Sequence, residues 1–115
     1  MVSQHAGLST QRWKSFTPTQ QILMIANEMN RGQKMFDKND IYGIKLSIER
    51  VLYLLDITIA INTSFGLRKE LLRLRDLVAE LYIIDKIELK EYKKIFKTLL
   101  LLNSESARQI PFVQA

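Results

Sequence analysis

The stretch from Asp40 to Ile61, DIYGIKLSIERVLYLLDITIAI, decides the fold class. Ile41, Ile44, Ile48, Val51 and Leu55 recur at steps of three and four, the period of an amphipathic helix. A second set, Leu46, Tyr53, Leu54, Ile57 and Ile61, falls at i, i+7, i+8, i+11 and i+15, so the helix is apolar on more than one face. Its end, Ile57-Thr58-Ile59-Ala60-Ile61, is rich in β-branched residues that also suit a strand. No other segment offers a partner strand, and the helical reading stands.

Punctuation on both sides of this stretch defines three further helices. Upstream, Thr17-Pro18-Thr19-Gln20 combines a cap, a proline at the first helical position and a glutamine where a capping box places it. Ile22, Ile25, Met29 and Phe36 then carry a stripe, with Ala26 and Gly32 as small residues for close approach, and Asp37-Lys38-Asn39-Asp40 forms a polar turn. Downstream, Asn62-Thr63-Ser64-Phe65-Gly66 is the clearest break, with cap residues and a glycine that tolerates positive φ. Leu67, Leu71, Leu74, Val78 and Leu81 form a third stripe. Asp85-Lys86-Ile87-Glu88 reads as another capping box, and Leu89, Tyr92, Phe96 and Leu99 carry a fourth stripe up to Asn103-Ser104, before Ile110-Pro111 closes the helical part.

The expectation is all-α: an up-down-up-down four-helix bundle with helices near 18–36, 40–61, 67–83 and 87–104. A flexible, irregular N-terminal arm occupies 1–16, the bundle domain 17–106 and a short tail 107–115. Leu52, Leu55, Leu74, Val78, Phe96 and Leu99, at mid-helix on or beside the stripes, are the expected core.

Composition narrows the function classes. The 115 residues are 47% hydrophobic and 25% charged, with few glycines and prolines, which suits one folded domain. The absence of cysteine removes disulfides, thiolate metal sites and a thiol nucleophile. The apolar run Val51 to Leu55, which no other run exceeds, stops at Asp56, far short of a membrane span, and the expected location is the cytoplasm. One histidine, His5, leaves imidazole chemistry almost without candidates. No phosphate-binding glycine loop, nucleophile with base, or Glu-x-x-His ligand pair occurs, so no enzyme, cofactor or metal is expected. The carboxylate pairs Asp85/Glu88 and Glu88/Glu91 have neighbouring lysines and read as caps and solubility groups.

Two surfaces remain as candidates. A bundle helix needs about three core positions in seven, and the second and fourth helices supply more. Leu99-Leu100-Leu101-Leu102 surrounds the fourth helix entirely. The surplus reads as a partner-binding surface comprising Leu46, Tyr53, Leu54, Ile57, Ile61, Ile95 and Leu102, covered by a second copy or by a segment of another protein. A further alternative is coverage by the arm or tail folding back, which would use Trp13 and Phe16. The second surface is basic. The formal net charge of +5 and a sequence pI near 9.6 favour anionic partners. Lys86, Lys90, Lys93 and Lys97 follow one side of the fourth helix, and Arg68 and Arg75 stand in a cluster on the third. Together they are the candidate nucleic-acid contacts, against a plain solvated face.

The order of these features resembles the flagellin export chaperone family. Thr17-Pro18, followed by Gln20-Gln21-Ile22-Leu23-Met24, looks like the opening of that family's first long helix. Ile48 to Asp56 is similar to its second helix, and Leu71, Leu74 and Leu77 match its leucine spacing before the last turn. The resemblance spans roughly 17–103. It implies a small cytoplasmic helical chaperone that holds the C-terminal segment of flagellin along hydrophobic surfaces between helices until export.

Overall fold

The computed structural model describes residues 10–62 and 64–113. Among them every regular element is helical: α1 (Thr10–Lys14), α2 (Pro18–Met35), α3 (Ile41–Ile61), α4 (Phe65–Ile83), α5 (Leu89–Leu100), α6 (Ser104–Ala107) and α7 (Ile110–Val113). No helix among these residues is long and apolar enough to cross a membrane.

The first turns form as their chemistry dictates. Thr17 Oγ1 accepts from the Gln20 N–H at 3.1 Å while Gln20 Oε1 accepts from the Thr17 N–H at 2.8 Å, and Pro18 opens α2. Between α2 and α3, Asn39 takes φ 54, a left-handed conformation that asparagine tolerates, and Asp40 Oδ1 accepts from the Gly43 N–H at 2.9 Å.

Later boundaries differ from the pattern-based expectation. Helix α4 starts at Phe65 instead of Leu67 and contains Gly66, and no described glycine has positive φ. The turn is made by side-chain hydrogen bonding, with the Ser64 N–H donating to Asn62 Oδ1 at 2.9 Å. Thr63 lies outside the described residues. The capping box at Asp85–Glu88 does not form: Glu88 precedes α5 without a side-chain cap bond, and the helix begins at Leu89. The end of α4 is held from α3 instead, because Lys45 Nζ donates to the carbonyls of Tyr82 and Ile84 and stands 5.2 Å from the Tyr82 ring centroid.

The fourth stripe is not one helix to residue 104. Helix α5 stops at Leu100, whose carbonyl accepts from Ser106 Oγ at 2.6 Å, and Asn103 Oδ1 caps α6 by accepting from the Glu105 N–H at 2.8 Å. Pro111 does not terminate helical structure either, since it lies inside α7.

The irregular arm is the main correction. Residues 1–9 lie outside the described set, but Thr10–Lys14 is helical and Trp13 is fully buried. The indole Nε1–H donates to Thr58 Oγ1 of α3 at 2.8 Å, and Gln21 Nε2 donates to the carbonyls of Trp13 and Phe16 at 3.0 and 3.1 Å. Phe16 meets Trp13 edge-on at 5.8 Å between centroids. The described part of the arm, residues 10–16, therefore folds back to cover the C-terminal end of α3.

Each long helix packs on two others: α2 on α3 and α5, α4 on α3 and α5. Leu52, Leu55, Leu74, Val78, Phe96 and Leu99 are all buried in the shared core. Tyr92 is buried as well and donates to the Met29 carbonyl at 2.7 Å, tying α5 to α2. Gly32 permits this approach, because a Cβ there would fall on the Tyr92 hydroxyl and 2.9 Å from Ser47 Cβ. Among the four long-helix pairs that pack, α4 against α5 is the thinnest seam.

Candidate functional site

That thin seam leaves a groove. Near the end of α4, a cavity of about 330 Å³ is lined by Leu77, Leu81 and Ile84 of α4 and its exit, and by Ile95 and Thr98 of α5. Toward the start of α4, a second depression of about 420 Å³ is lined by Gly66, Leu67, Thr98, Leu101 and Leu102. Thr98 borders both, so the two depressions lie one after the other along the α4–α5 seam, where the start of α4 meets the end of α5. The rim carries three carboxylates, Glu70, Glu80 and Glu91, of which Glu70 stands 3.7 Å from Arg73. Lys94, the cation on this lining, is engaged by Glu91 at 3.4 Å. The section near the end of α4, with its mainly apolar lining and its bordering Glu80 and Glu91, suits a helix that is apolar on one face and basic along its flanks.

The partner-binding residues expected from sequence divide between this groove and other places. Ile95, only 8% exposed, and Leu102, half-buried, both line it. Leu54 is 2% exposed and belongs to the core, so it presents nothing to a partner. Leu46, Tyr53 and Ile57 share the outer side of α3 and are half-buried. Ile61 lies at the α1–α2 corner with Phe16, Pro18 and Gln21, next to the end of α3 that Trp13 covers. The single surface expected from the α3 stripe is therefore partly filled by the chain's own N-terminal segment.

Leu77, Glu80 and Ile84 are groove residues that lie off the Leu67, Leu71, Leu74, Val78 and Leu81 stripe. Leu77 and Ile84 stand seven apart beside Leu74 and Leu81, a second apolar row on α4 that was legible once that helix was read for more than one face.

The basic residues are also divided. Arg75 faces α3, where its Nε donates to Asp56 Oδ1 at 2.5 Å, and this hydrogen bond first of all raises its pKa. Arg68, seven residues earlier, shares that flank of α4. Lys90, Lys93 and Lys97 lie together on a different face, the outer side of α5, and none of them lines the groove. Lys86 is in the turn before α5, 3.8 Å from Glu88. Lysines of α5 and arginines of α4 thus form no continuous basic track.

Inside the molecule, Glu28 is buried between Arg31 at 3.5 Å and Arg50 at 3.7 Å. Burial first, and the Glu28 charge second, push the Tyr92 hydroxyl well above the ordinary tyrosine range, so it stays a neutral hydrogen-bond donor. Among the described residues no group of three or more His, Cys, Asp or Glu is placed to hold a metal ion. Comparison with family models, curated proteins and solved structures finds no match to this chain.

Proposed function

We propose that this chain is a non-enzymatic binding protein, a helical adaptor or chaperone that receives an amphipathic helical segment of another polypeptide in the α4–α5 groove. The observation that supports the reading is the depression near the end of α4, apolar along Leu77, Leu81, Ile84 and Ile95 and bordered by Glu80 and Glu91, with a second depression at Leu67, Leu101 and Leu102 next to it along the seam. Helix-in-groove recognition needs that combination of apolar floor and complementary rim. The four long helices are read as an up-down-up-down bundle in which the α4–α5 side is left open for the guest. A secreted, flagellin-like segment as the guest, and the cytoplasm as the place of action, follow from the family resemblance of the Thr17-Pro18 opening and the leucine spacing. The cysteine-free composition supports that location.

The test uses a synthetic 18-residue peptide with leucines on one face and lysines on the flanks, alongside a flagellin C-terminal peptide. Ile84→Lys removes an exposed apolar group from the rim and should leave the fold intact while weakening capture at least about tenfold. Unchanged affinity in that variant, or no binding of either peptide by the parent, overturns the proposal.

Nucleic-acid binding is the second reading, carried by the alignment of Lys90, Lys93 and Lys97 on one face of α5. Oligonucleotide affinity that falls steeply with salt and is lost in Lys90→Gln/Lys93→Gln would favour it.

A further inference from the structure

The outer side of α4, turned away from both α3 and α5, carries three exposed large apolar residues: Phe65 at 83%, Leu72 at 46% and Ile83 at 76%. They follow one stripe of the helix, seven and eleven residues apart. Alongside runs a charged row, Lys69, Arg73, Asp76 and Glu80, at i, i+4, i+7 and i+11, all exposed. Its order is two positive groups followed by two negative ones. Lys69 and Glu80 form no ion pair among the described residues, and Arg73 has only an exposed contact with Glu70 at 3.7 Å.

This row is antisymmetric about its own midpoint. The Lys69/Glu80 and Arg73/Asp76 pairs are both centred between residues 74 and 75, and Phe65 and Ile83 are centred on 74. A two-fold axis perpendicular to α4 therefore brings Lys69 opposite Glu80 of a second copy and Arg73 opposite Asp76, each twice, with Phe65 against Ile83. A parallel arrangement would place like charges against each other. From this register we infer that the outer face of α4 is a self-association surface on which two copies of the chain pair antiparallel, α4 against α4. The contact is isologous, the commonest symmetry for soluble assemblies. One pair of 19-residue helices gives a small interface, below about 1,200 Å², so the dimer is expected to be weak, with a dissociation constant on the order of micromolar. Glu80 borders both this row and the groove, whereas Arg73 and Asp76 line neither section of the groove.

Sedimentation of the full chain from about 1 µM to about 500 µM tests the inference, with circular dichroism to verify folding. The parent should pass from 13.4 kDa toward twice that mass as concentration rises. Arg73→Asp and Asp76→Arg, singly, each place like charges together at both symmetric positions and should raise the dissociation constant at least about tenfold. The double variant restores opposite charges and should return to within about threefold of the parent. A parent that is monomeric throughout, a double variant no better than the singles, or a dimer indifferent to both singles overturns it. Peptide capture by the same singles reads the groove separately, so the two proposals can fail independently.

Discussion

Replacing Trp13 with alanine is the sharpest probe of how the N-terminal segment is held. A tryptophan buries about 150–250 Å², and at about 25 cal/mol per Å² its full burial contributes on the order of 4–6 kcal/mol as an upper figure. Measured large-to-small substitutions at such sites cost about 3–5 kcal/mol, and the lower end applies here because a freed α1 regains conformational entropy. With a urea dependence of about 1.5 kcal/mol per M, a loss of about 3 kcal/mol lowers the unfolding midpoint by about 2 M. Trp13 is the only tryptophan, so the variant is followed by far-ultraviolet circular dichroism, while the parent's fluorescence reports α1 docking directly. Trp13→Phe keeps most of the ring and loses the bond to Thr58 Oγ1, which still donates to the Leu54 carbonyl at 2.7 Å; its cost should be about 1–2 kcal/mol. A midpoint for Trp13→Ala within about 0.3 M of the parent would show that α1 adds no stability to the fold, and the docking argument would fall.

Gly32→Ala should destabilise by about 1–3 kcal/mol, against the usual gain for a mid-helix alanine, because its Cβ meets the Tyr92 hydroxyl and Ser47; adding Tyr92→Phe should recover part of the loss, measured as a positive coupling in a double-mutant cycle. Tyr92 also predicts an alkaline effect. Its folded pKa lies above the unfolded value of about 10, so its contribution is complete below that pH and is lost as pH rises beyond it. The stability advantage of the parent over Tyr92→Phe, about 1 kcal/mol at pH 8, should therefore shrink above pH 10, and a constant difference in urea midpoints across that range would contradict the assignment.

The cores of the long helices were legible because their signal is local. Ile44, Ile48 and Val51, or Leu71, Leu74 and Val78, reveal their buried face by spacing alone, and Thr17 and Asp40 reveal their caps by residue type. What was not legible depends on partners distant in sequence. Trp13 becomes core through a hydrogen bond to Thr58, 45 residues away, and no periodicity in a five-residue helix announces it. Helix α5 ends early because Ser106 returns to the Leu100 carbonyl, a contact that competes with a continuous run of leucines and wins by satisfying buried polar groups. The groove at Leu77 and Ile84 required knowing how closely α4 and α5 approach, which spacing on either helix does not encode. The second α3 stripe is not one free surface, because Leu54 is buried in the core: a helix apolar all round has more than one neighbour.

The bond between Trp13 and Thr58 also sets a timetable for a chain leaving the ribosome. The indole is made before α2 begins, yet its dock exists only after the last turns of α3 have followed, 45 residues later. At translation speeds of about 5–20 residues per second, that interval lasts roughly 2–9 s. Throughout that interval the indole of α1 has no Thr58 to meet, so the first described helix to be made is one whose burial has to wait for the third.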